Sequence, residues 1–460
     1  MMLLKRLQLA LIHTAVAMTL VPINSTLNRV MIFDLGISKT LFTLLAIFPY
    51  LLSPIQVAIG SFSDRNPIFG YRRTPYILAG LILCVLGVAI SPQFAVLMSR
   101  ENFTLGIIVG ILAFGMWGMG YNLSAVSYLS LASELSGEKE RGKTIATMFM
   151  VMVIGLIATG ISLSRMVTTY DPATLSRAFI TVAASALTLG LFGLFKLESR
   201  FTPLVPPIFD NENSDGKGNE ELRKWEDERG APKSETYTIK QMTSAITENP
   251  VAKIFFIYLL LLLAAILGQD VLLEPFGAQA FGMTLEQTSR IVSITNTFTL
   301  IAFIVAALLE GRVKKKYVAQ SGNLGAIFGF LTIVVSGMTG NITAFYIGIT
   351  LLGFGTGIST IANLSLMFDL TVPEKVGLYI GAWGFSNGLS RLVGLLMAGV
   401  VADVATKITG NALSGYLIVF SLEALMLFIA AFMLYRIDVT AFQKKAHEPA
   451  FVERVALTTE

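Results

Sequence analysis

The sequence predicts an all-α membrane protein with twelve transmembrane helices, arranged as two related halves of six helices each. Of its 460 residues, 54% are hydrophobic and 14% are charged, and the mean hydropathy is +0.70. Soluble domains carry about one quarter charged residues, so this chain has too few charges to cover a surface that faces water. Apolar stretches of about 20 residues, the length needed to cross a bilayer, recur along nearly the whole chain.

The apolar stretches predict a helix at each of twelve places. Lys5 and Arg6 precede the first stretch, but no small-residue cleavage site follows it, which indicates a membrane helix rather than a removed signal peptide. The predicted helices cover residues 7–24, 40–62, 75–92, 104–133, 144–164, 177–196, 252–270, 289–309, 321–339, 343–367, 376–402 and 414–435.

Lysine and arginine residues predict the orientation of these helices. They concentrate in the segments on the same side as the N-terminus, for example at Arg72, Arg73 and Lys314–Lys316, whereas the alternate loops hold few. The positive-inside rule then places both termini in the cytoplasm of a multi-pass protein of the plasma or photosynthetic membrane. Because these loop residues explain the net charge of +4, we expect the lipid bilayer, and no nucleic acid, as the surroundings of the chain.

A charged segment divides the chain in two. Residues 200–250 contain glycine, proline and few aliphatic side chains, which predicts a mobile cytoplasmic linker. We refer to this segment as the linker. It separates an N-terminal half, 1–199, from a C-terminal half, 251–436, and residues 437–460 form a predicted cytoplasmic tail.

The two halves contain a sequence repeat. Residues 118–142 align with residues 353–377 without a gap, and earlier in each half a second alignment pairs equivalent positions across a longer loop. Two related six-helix halves joined by a cytoplasmic linker are typical of a major facilitator superfamily transporter. The aligned pairs include Gly118 with Gly353, Gly120 with Gly355, Ser124 with Ser359, Glu134 with Asp369, Leu27 with Leu273, Gly36 with Gly282, and Asp64 with Glu310.

The loop between helices 2 and 3 concentrates charge in an otherwise apolar region. It resembles the loop motif of the superfamily, in which a glycine, an aspartate and basic residues lock the two halves at their inner face. A carboxylate at a helix end can hold an arginine by two hydrogen bonds; the alternative is that these residues only anchor the loop in the cytoplasm. The motif residues are Gly60, Asp64, Arg65, Gly70, Arg72 and Arg73.

Four longer segments resemble the PucC/LhaA family of bacteriochlorophyll-delivery proteins, a branch of the superfamily. They are "LNRVMIFDLGIS" (27–38), "GYRRTPYI" (70–77), "LLEPFGAQAFGMTLEQT" (272–288) and "LYIGAWGFSNGLSRLVG" (378–394). The resemblance implies a protein that delivers (bacterio)chlorophyll to light-harvesting or photosystem complexes, or assists their assembly. It also implies chlorophyll or a related tetrapyrrole as cargo, and light-harvesting proteins, other chlorophyll-binding proteins and chlorophyll-synthesis enzymes as partners. Two alternatives are a secondary transporter of a folate, a pterin or another small solute, and a scaffold without a transported substrate.

Polar residues within apolar spans are costly and therefore candidates for function. Histidine is a common axial ligand of chlorophyll magnesium, although a single histidine is more often a packed, hydrogen-bonded residue. The amides are candidates for a cavity lining, with interhelical hydrogen bonding as the alternative. The candidate cavity or ligand residues are His13, Gln56, Asn122, Asn296, Asn363, Asn387, Arg391 and Glu423.

The charged candidates suggest specific pairings. Arg391, near the middle of helix 11, should pair with Glu423 at similar depth in helix 12, or contact an acidic group of a substrate. Asp270 and Glu274 are candidates for proton coupling at the outer end of helix 7, with interfacial solvation as the alternative, and Pro275 predicts that the helix ends there. The sequence contains no nucleophile elbow, phosphate loop or metal-ligand cluster, with one cysteine and two histidines in all. We therefore expect no enzyme and no metal site.

Overall fold

The chain is described here by a computed structural model that covers residues 2–52, 66–99, 102–200, 250–309, 311–370 and 376–437, with Ile55, Ile59, Phe62 and Ser63. Within helices, the side chains of residues 2, 99, 137–139, 141, 368 and 376–384 are not described. The predicted linker and tail lie almost entirely outside these ranges.

The N-terminal half begins with a helix that widens into two π-helical turns before its end. These turns are Pro22–Leu27 and Val30–Asp34, and a 26-residue and a 64-residue helix follow later in the half. The helices are α1 (Met2–Met18), α2 (Lys39–Ala46), α3 (Phe48–Leu51), α4 (Thr74–Ser99), α5 (Phe103–Met166) and α6 (Pro172–Leu194).

The C-terminal half repeats the pattern of long apolar helices. Its first helix ends in a 3-10 turn, Gln269–Val271, before a short helix begins. The helices are α7 (Pro250–Gly268), α8 (Leu273–Phe281), α9 (Leu285–Leu309), α10 (Lys315–Thr339), α11 (Ile342–Asp369), α12 (Val376–Thr409) and α13 (Ala412–Tyr435). We call the membrane side at which α1 begins the linker side, and the opposite side the far side.

Most of the predicted spans are confirmed. Eleven helices in the described ranges are long and apolar enough to cross a membrane, and they correspond to eleven of the twelve predicted helices. The other predicted helix, 40–62, begins as α2 and α3, and most of its second half lies outside the described residues. The first span is longer than predicted, Leu3–Asp34, because the π-helical turns continue it.

The predicted loop between helices 4 and 5 is helical. The chain stays helical through residues 134–143, so that α5 contains two spans, Phe103–Ser136 and Gly142–Met166. The Ser136 hydroxyl nevertheless donates to Thr144 Oγ1 at 2.7 Å. Residues eight apart on a straight helix are separated by about 12 Å, so the chain reverses direction at this point and the two spans run antiparallel.

Close helix crossings confirm the internal repeat. A Cβ atom built on Gly120 would lie 2.5 Å from the Gly80 carbonyl oxygen, where α4 crosses the first span of α5. In the second half, a Cβ atom on Gly355 would lie 2.7 Å from the Gly322 carbonyl oxygen, where α10 crosses α11. Gly120 and Gly355 are equivalent in the alignment. Both crossings therefore need a residue without a side chain, because the backbones are in contact.

The predicted end of helix 7 near residue 270 is confirmed, but Pro275 does not cause it. The helix α7 ends at Gly268, and Pro275 lies in the first turn of α8, where a missing backbone N–H removes no helical hydrogen bond. After α8 the chain turns at Gly282, whose φ is +63°, and the equivalent Gly36 has φ +64°. Both glycines occupy the left-handed region, which an L side chain rarely adopts.

Candidate functional site between the two halves

Arg391 joins the two halves within a membrane-spanning helix. It lies near the centre of α12 and donates a hydrogen bond from Nη1 to the hydroxyl of Tyr50, on α3 of the other half. The guanidinium carbon is 5.0 Å from the centroid of the Tyr50 ring, which is within cation–π range. Tyr121, on the first span of α5, is close enough to interact electrostatically with both groups. Sequence reasoning gives no sign of this partner, since Tyr50 is 341 residues away.

Glu423, the predicted partner of Arg391, is elsewhere. It lies on α13 with 0% of its surface exposed, and neither carboxylate oxygen has a hydrogen-bond partner in the part of the chain that the structure describes. The predicted ion pair between Arg391 and Glu423 is therefore wrong. Counting residues from the helix ends gives the two side chains a similar depth, but depth does not fix the direction in which a side chain leaves its helix.

Asp270 lies between these two charged groups. It belongs to the 3-10 turn after α7, and its Oδ1 accepts a hydrogen bond of 2.9 Å from Gln269 Nε2. Asp270 interacts electrostatically with Arg391, with Glu423 and with Glu274 on α8. Asp270 thus connects one guanidinium with two other carboxyl groups near the boundary between the halves.

Glu274 bridges the halves near the far side. Asn28 Nδ2 donates to the Val271 carbonyl at 3.1 Å and to Glu274 Oε2 at 3.4 Å. Residues 28 and 274 are equivalent in the repeat, so their contact lies near the axis that relates the two halves. Glu274 is only 2% exposed, which contradicts the alternative that interfacial water alone solvates it. Asn28 lies between the two π-helical turns, and such turns are frequent at functional sites.

A second set of contacts joins the halves on the far side. The backbone N–H groups of Lys39 and Thr40, at the start of α2, donate to the Asp403 carboxylate of α12 at 3.2 and 2.7 Å. The Lys39 ammonium is also 3.7 Å from Asp403 Oδ1. A carboxylate at a helix N-terminus is favourable because it satisfies free N–H groups. Arg29 adds a hydrogen bond of 3.3 Å to the Met283 carbonyl, and together these contacts hold the far side closed.

His13 is buried in the N-terminal half. It is 7% exposed, and its ring packs against the rings of Tyr128 and Phe149 at centroid distances of 5.1 Å. Its Nδ1 has no hydrogen-bond partner among the described residues. The packing agrees with the alternative of a buried core histidine, while the unpartnered nitrogen keeps a ligand role open to test.

Asn363 belongs to a closed network of four side chains in the C-terminal half. Tyr258 donates to Asn363 Oδ1 at 2.7 Å, and Asn363 Nδ2 donates to Ser359 Oγ at 2.9 Å. Ser359 donates to Asn323 Oδ1 at 2.7 Å, and Asn323 Nδ2 donates to the Tyr258 hydroxyl at 3.1 Å. The network connects α7, α10 and α11, so Asn363 acts as an interhelical contact.

The other asparagines differ in their surroundings. Asn122 Nδ2 donates to the Pro49 carbonyl at 2.7 Å, which links α5 to α3. Asn296 Nδ2 donates to the Val292 carbonyl of its own helix at 2.9 Å, and Asn387 is exposed. Among the contacts of the described residues, Asn122 and Asn363 therefore form the interhelical bonds that the packing alternative predicts.

The structure describes only part of the loop motif. Outside the described residues lie the motif residues Gly60, Asp64 and Arg65, and also the cavity candidate Gln56. Gly70 turns the chain with φ +78°, and Arg73 is buried beside it. The Arg73 guanidinium donates to Glu134 Oε1 at 2.8 and 3.0 Å and to Ser63 Oγ at 2.6 Å. In the second half, Lys315 donates to Asp369 at 2.7 Å. Because Glu134 and Asp369 are equivalent in the repeat, the two halves carry matching ion pairs.

Sequence reasoning missed Glu198, which follows α6. Its carboxylate accepts hydrogen bonds from the backbone N–H groups of Arg72, Arg73 and Thr74 and from the Thr74 hydroxyl, at 2.6–3.2 Å. It therefore caps the N-terminus of α4. The capping residue is 124 or more positions away in the sequence, so no local pattern near α4 predicts it. The available signal is an acidic residue at the end of a predicted span.

Comparison with known proteins agrees with this architecture. The chain is 29% identical over 445 residues to protein PucC of Cereibacter sphaeroides, a match that covers 92% of this chain and 90% of that protein. It is 23% identical over 433 residues to the bacteriochlorophyll synthase 44.5 kDa chain of Rhodobacter capsulatus, covering 93% of each. The crystal structure of a mutant of the nucleoside transporter NupG superposes with a TM-score of 0.66 at 14% identity, over 94% of this chain and 99% of that one.

At 14% identity, the likeness to NupG shows the fold alone, which is that of the major facilitator transporters. The family is shown by sequence, because the sequence profile described as "PUCC protein" matches residues 26–442. That range includes most of the N-terminal half, the whole C-terminal half and the interface residues Asn28, Tyr50, Asp270, Arg391 and Glu423. The chain therefore belongs to the PUCC protein family.

Proposed function

We propose that this protein delivers (bacterio)chlorophyll, or a related tetrapyrrole, to light-harvesting or photosystem complexes or assists their assembly. The observation that carries the proposal is the family match over residues 26–442, together with a relative named as a bacteriochlorophyll synthase chain. Its partners would be light-harvesting or other chlorophyll-binding proteins and chlorophyll-synthesis enzymes, with both termini in the cytoplasm.

The interface between the halves supports a role in binding a planar, partly polar molecule. The Tyr50 ring and the Arg391 guanidinium lie together at the boundary between the halves. An aromatic face can stack on a macrocycle, and a guanidinium can bind a carboxylate or carbonyl substituent. His13, with its unpartnered Nδ1, is a second candidate contact, because imidazole nitrogen can ligate the magnesium of a chlorophyll.

An absorption spectrum of the purified protein tests this proposal. The protein would be expressed in a host that makes (bacterio)chlorophyll and purified in mild detergent. We expect bound pigment with the wild-type protein and much less with Arg391→Ala. The matched control is Arg312→Ala, which removes an arginine from the loop after α9, away from the interface. Loss of antenna complexes in a deletion strain, restored by the wild type but not by Arg391→Ala, would support the cellular role. A pigment-free wild-type protein whose deletion leaves antenna complexes intact would contradict it.

The second candidate function is secondary transport of a folate, a pterin or another small solute. The observation that favours it is that Arg391, Asp270 and Glu423 lie buried near the boundary between the two halves. A buried cation can bind an acidic solute, and titratable groups can bind the proton that coupled transport requires. Uptake of a labelled pterin by vesicles that contain the protein, lost in Arg391→Ala, would favour this function. Pigment binding without uptake would exclude it.

A further inference from the structure

Glu423 is buried where two helices of the C-terminal half come into backbone contact. A Cβ atom built on Gly268 of α7 would lie 2.9 Å from Glu423 Oε1 and 2.9 Å from the Gly394 carbonyl oxygen of α12. A Cβ atom on Gly394 would in turn collide with the Ala264 carbonyl oxygen. The two glycines therefore leave space for the carboxyl group of α13, which is enclosed by backbone and fully removed from solvent.

The groups around Glu423 do not neutralise a carboxylate. On the 3-10 turn after α7, Asp270 interacts with Glu423 and has the same charge, and Glu274 on α8 interacts with Asp270 in turn. On α12, Arg391 is engaged with Tyr50 and Asp270.

Two further titratable groups of the helices packed against Glu423 have other partners. On α10, Lys316 binds the Tyr435 and Ile437 carbonyls at the linker-side end, and on α13 itself Tyr416 contacts Lys39 near the far side. An unpaired carboxylate in such surroundings is so costly that a carboxyl group takes up a proton instead. The neutral form also leaves Arg391 and Asp270 as a balanced pair.

We propose that Glu423 is a proton-binding site, and that its proton controls the contact between Arg391 and Tyr50. In the described conformation the carboxyl group is protonated. When the proton passes to water, a second negative charge develops beside Asp270 and attracts the Arg391 guanidinium. The guanidinium then leaves the Tyr50 hydroxyl, and the halves lose this contact at their boundary. This inference goes beyond the proposed function, because it holds for any cargo.

A cysteine reporter can follow the separation of the two halves. Ser289 is 1% exposed and lies 3.4 Å from Thr26 across the two halves. The reporter protein carries Ser289→Cys together with Cys84→Ala, which removes the only native cysteine. It would be treated with a membrane-impermeant maleimide in buffers from mildly acidic to mildly alkaline pH. Labelling of Ile408→Cys, which is 79% exposed, corrects for the intrinsic pH dependence of the thiol. We expect the corrected labelling to rise several-fold as pH increases.

Two substitutions assign this response. Glu423→Gln imitates the protonated group and should keep labelling low at every pH. Asp369→Asn, which changes a carboxyl group of the same half that pairs with Lys315 on the linker side, should keep the wild-type response. A wild-type response in Glu423→Gln, or its loss in Asp369→Asn alone, overturns the proposal. If Glu423→Gln does not fold, Tyr50→Phe decides the question. Tyr50→Phe removes the hydroxyl that accepts a hydrogen bond from Arg391, so an unchanged pH response in this variant also overturns the proposal. Labelling of the wild-type reporter that does not depend on pH overturns it as well.

Discussion

Replacing Glu198 with alanine should destabilise the linker side of the N-terminal half. The substitution removes one carboxylate and leaves the N–H groups of Arg72, Arg73 and Thr74 and the Thr74 hydroxyl without this acceptor. A hydrogen bond to a charged group contributes about 1.5–3 kcal/mol, but the site is half-buried, so water can replace part of the loss. Loss of a helix cap typically costs about 1 kcal/mol. Because three N–H groups share this cap, the free energy of unfolding should fall by roughly 2–3 kcal/mol. This value is larger than the cost of losing one ordinary cap and smaller than the sum of the individual hydrogen bonds.

Melting temperature in mild detergent measures this loss, with folding monitored by size-exclusion chromatography. Glu198→Gln should lie between alanine and wild type, because an amide oxygen still accepts hydrogen bonds but carries no charge. Thr74→Val serves as the matched control: it removes the hydroxyl at 2.6 Å and leaves the three N–H bonds, so it should cost about 1 kcal/mol. Equal melting temperatures for Glu198→Ala and Thr74→Val would refute the argument, because the backbone bonds would then contribute nothing.

Further predictions concern the polar network, the matching ion pairs and the topology. Asn363→Ala should lower the free energy of unfolding by roughly 2–4 kcal/mol, because it leaves the hydroxyl and amide groups of its buried partners unsatisfied. Asn387→Ala, at an exposed position, should leave the melting temperature unchanged. Equal effects of the two substitutions would contradict the closed network. Glu134→Gln should destabilise the protein more than Asp369→Asn in the same melting assay, because the Arg73 side chain is 6% exposed and the Lys315 side chain 36%. Loss of the more exposed pair should cost less than about 1 kcal/mol. A larger effect of Asp369→Asn would contradict the role of burial. A reporter enzyme inserted in the linker and one inserted at Lys407 should lie on opposite sides of the membrane, and signals from the same side would contradict the predicted topology.

The sequence alone determined the properties that depend on composition and on counting along the chain. Apolar stretches of membrane-spanning length predict nearly all the helices, because hydrocarbon excludes unpaired backbone groups and forces each crossing to be helical. The repeat is visible because equivalent helices cross at equivalent glycines, and the alignment of Glu134 with Asp369 corresponds to two matching ion pairs. Family segments such as 272–288 are recognisable from their residues alone, and they lie where the halves meet.

Only the tertiary structure decided which polar groups are neighbours. The sequence correctly marks Arg391 as an unusual residue of helix 11, yet its partner is Tyr50 and not Glu423. Position along a helix fixes depth in the membrane, whereas the rotation of each helix and the choice of its neighbours depend on packing across the whole molecule. The same reason explains why the cap from Glu198 and the contact between Asn28 and Glu274 are not predictable from the sequence, since each joins residues more than one hundred positions apart.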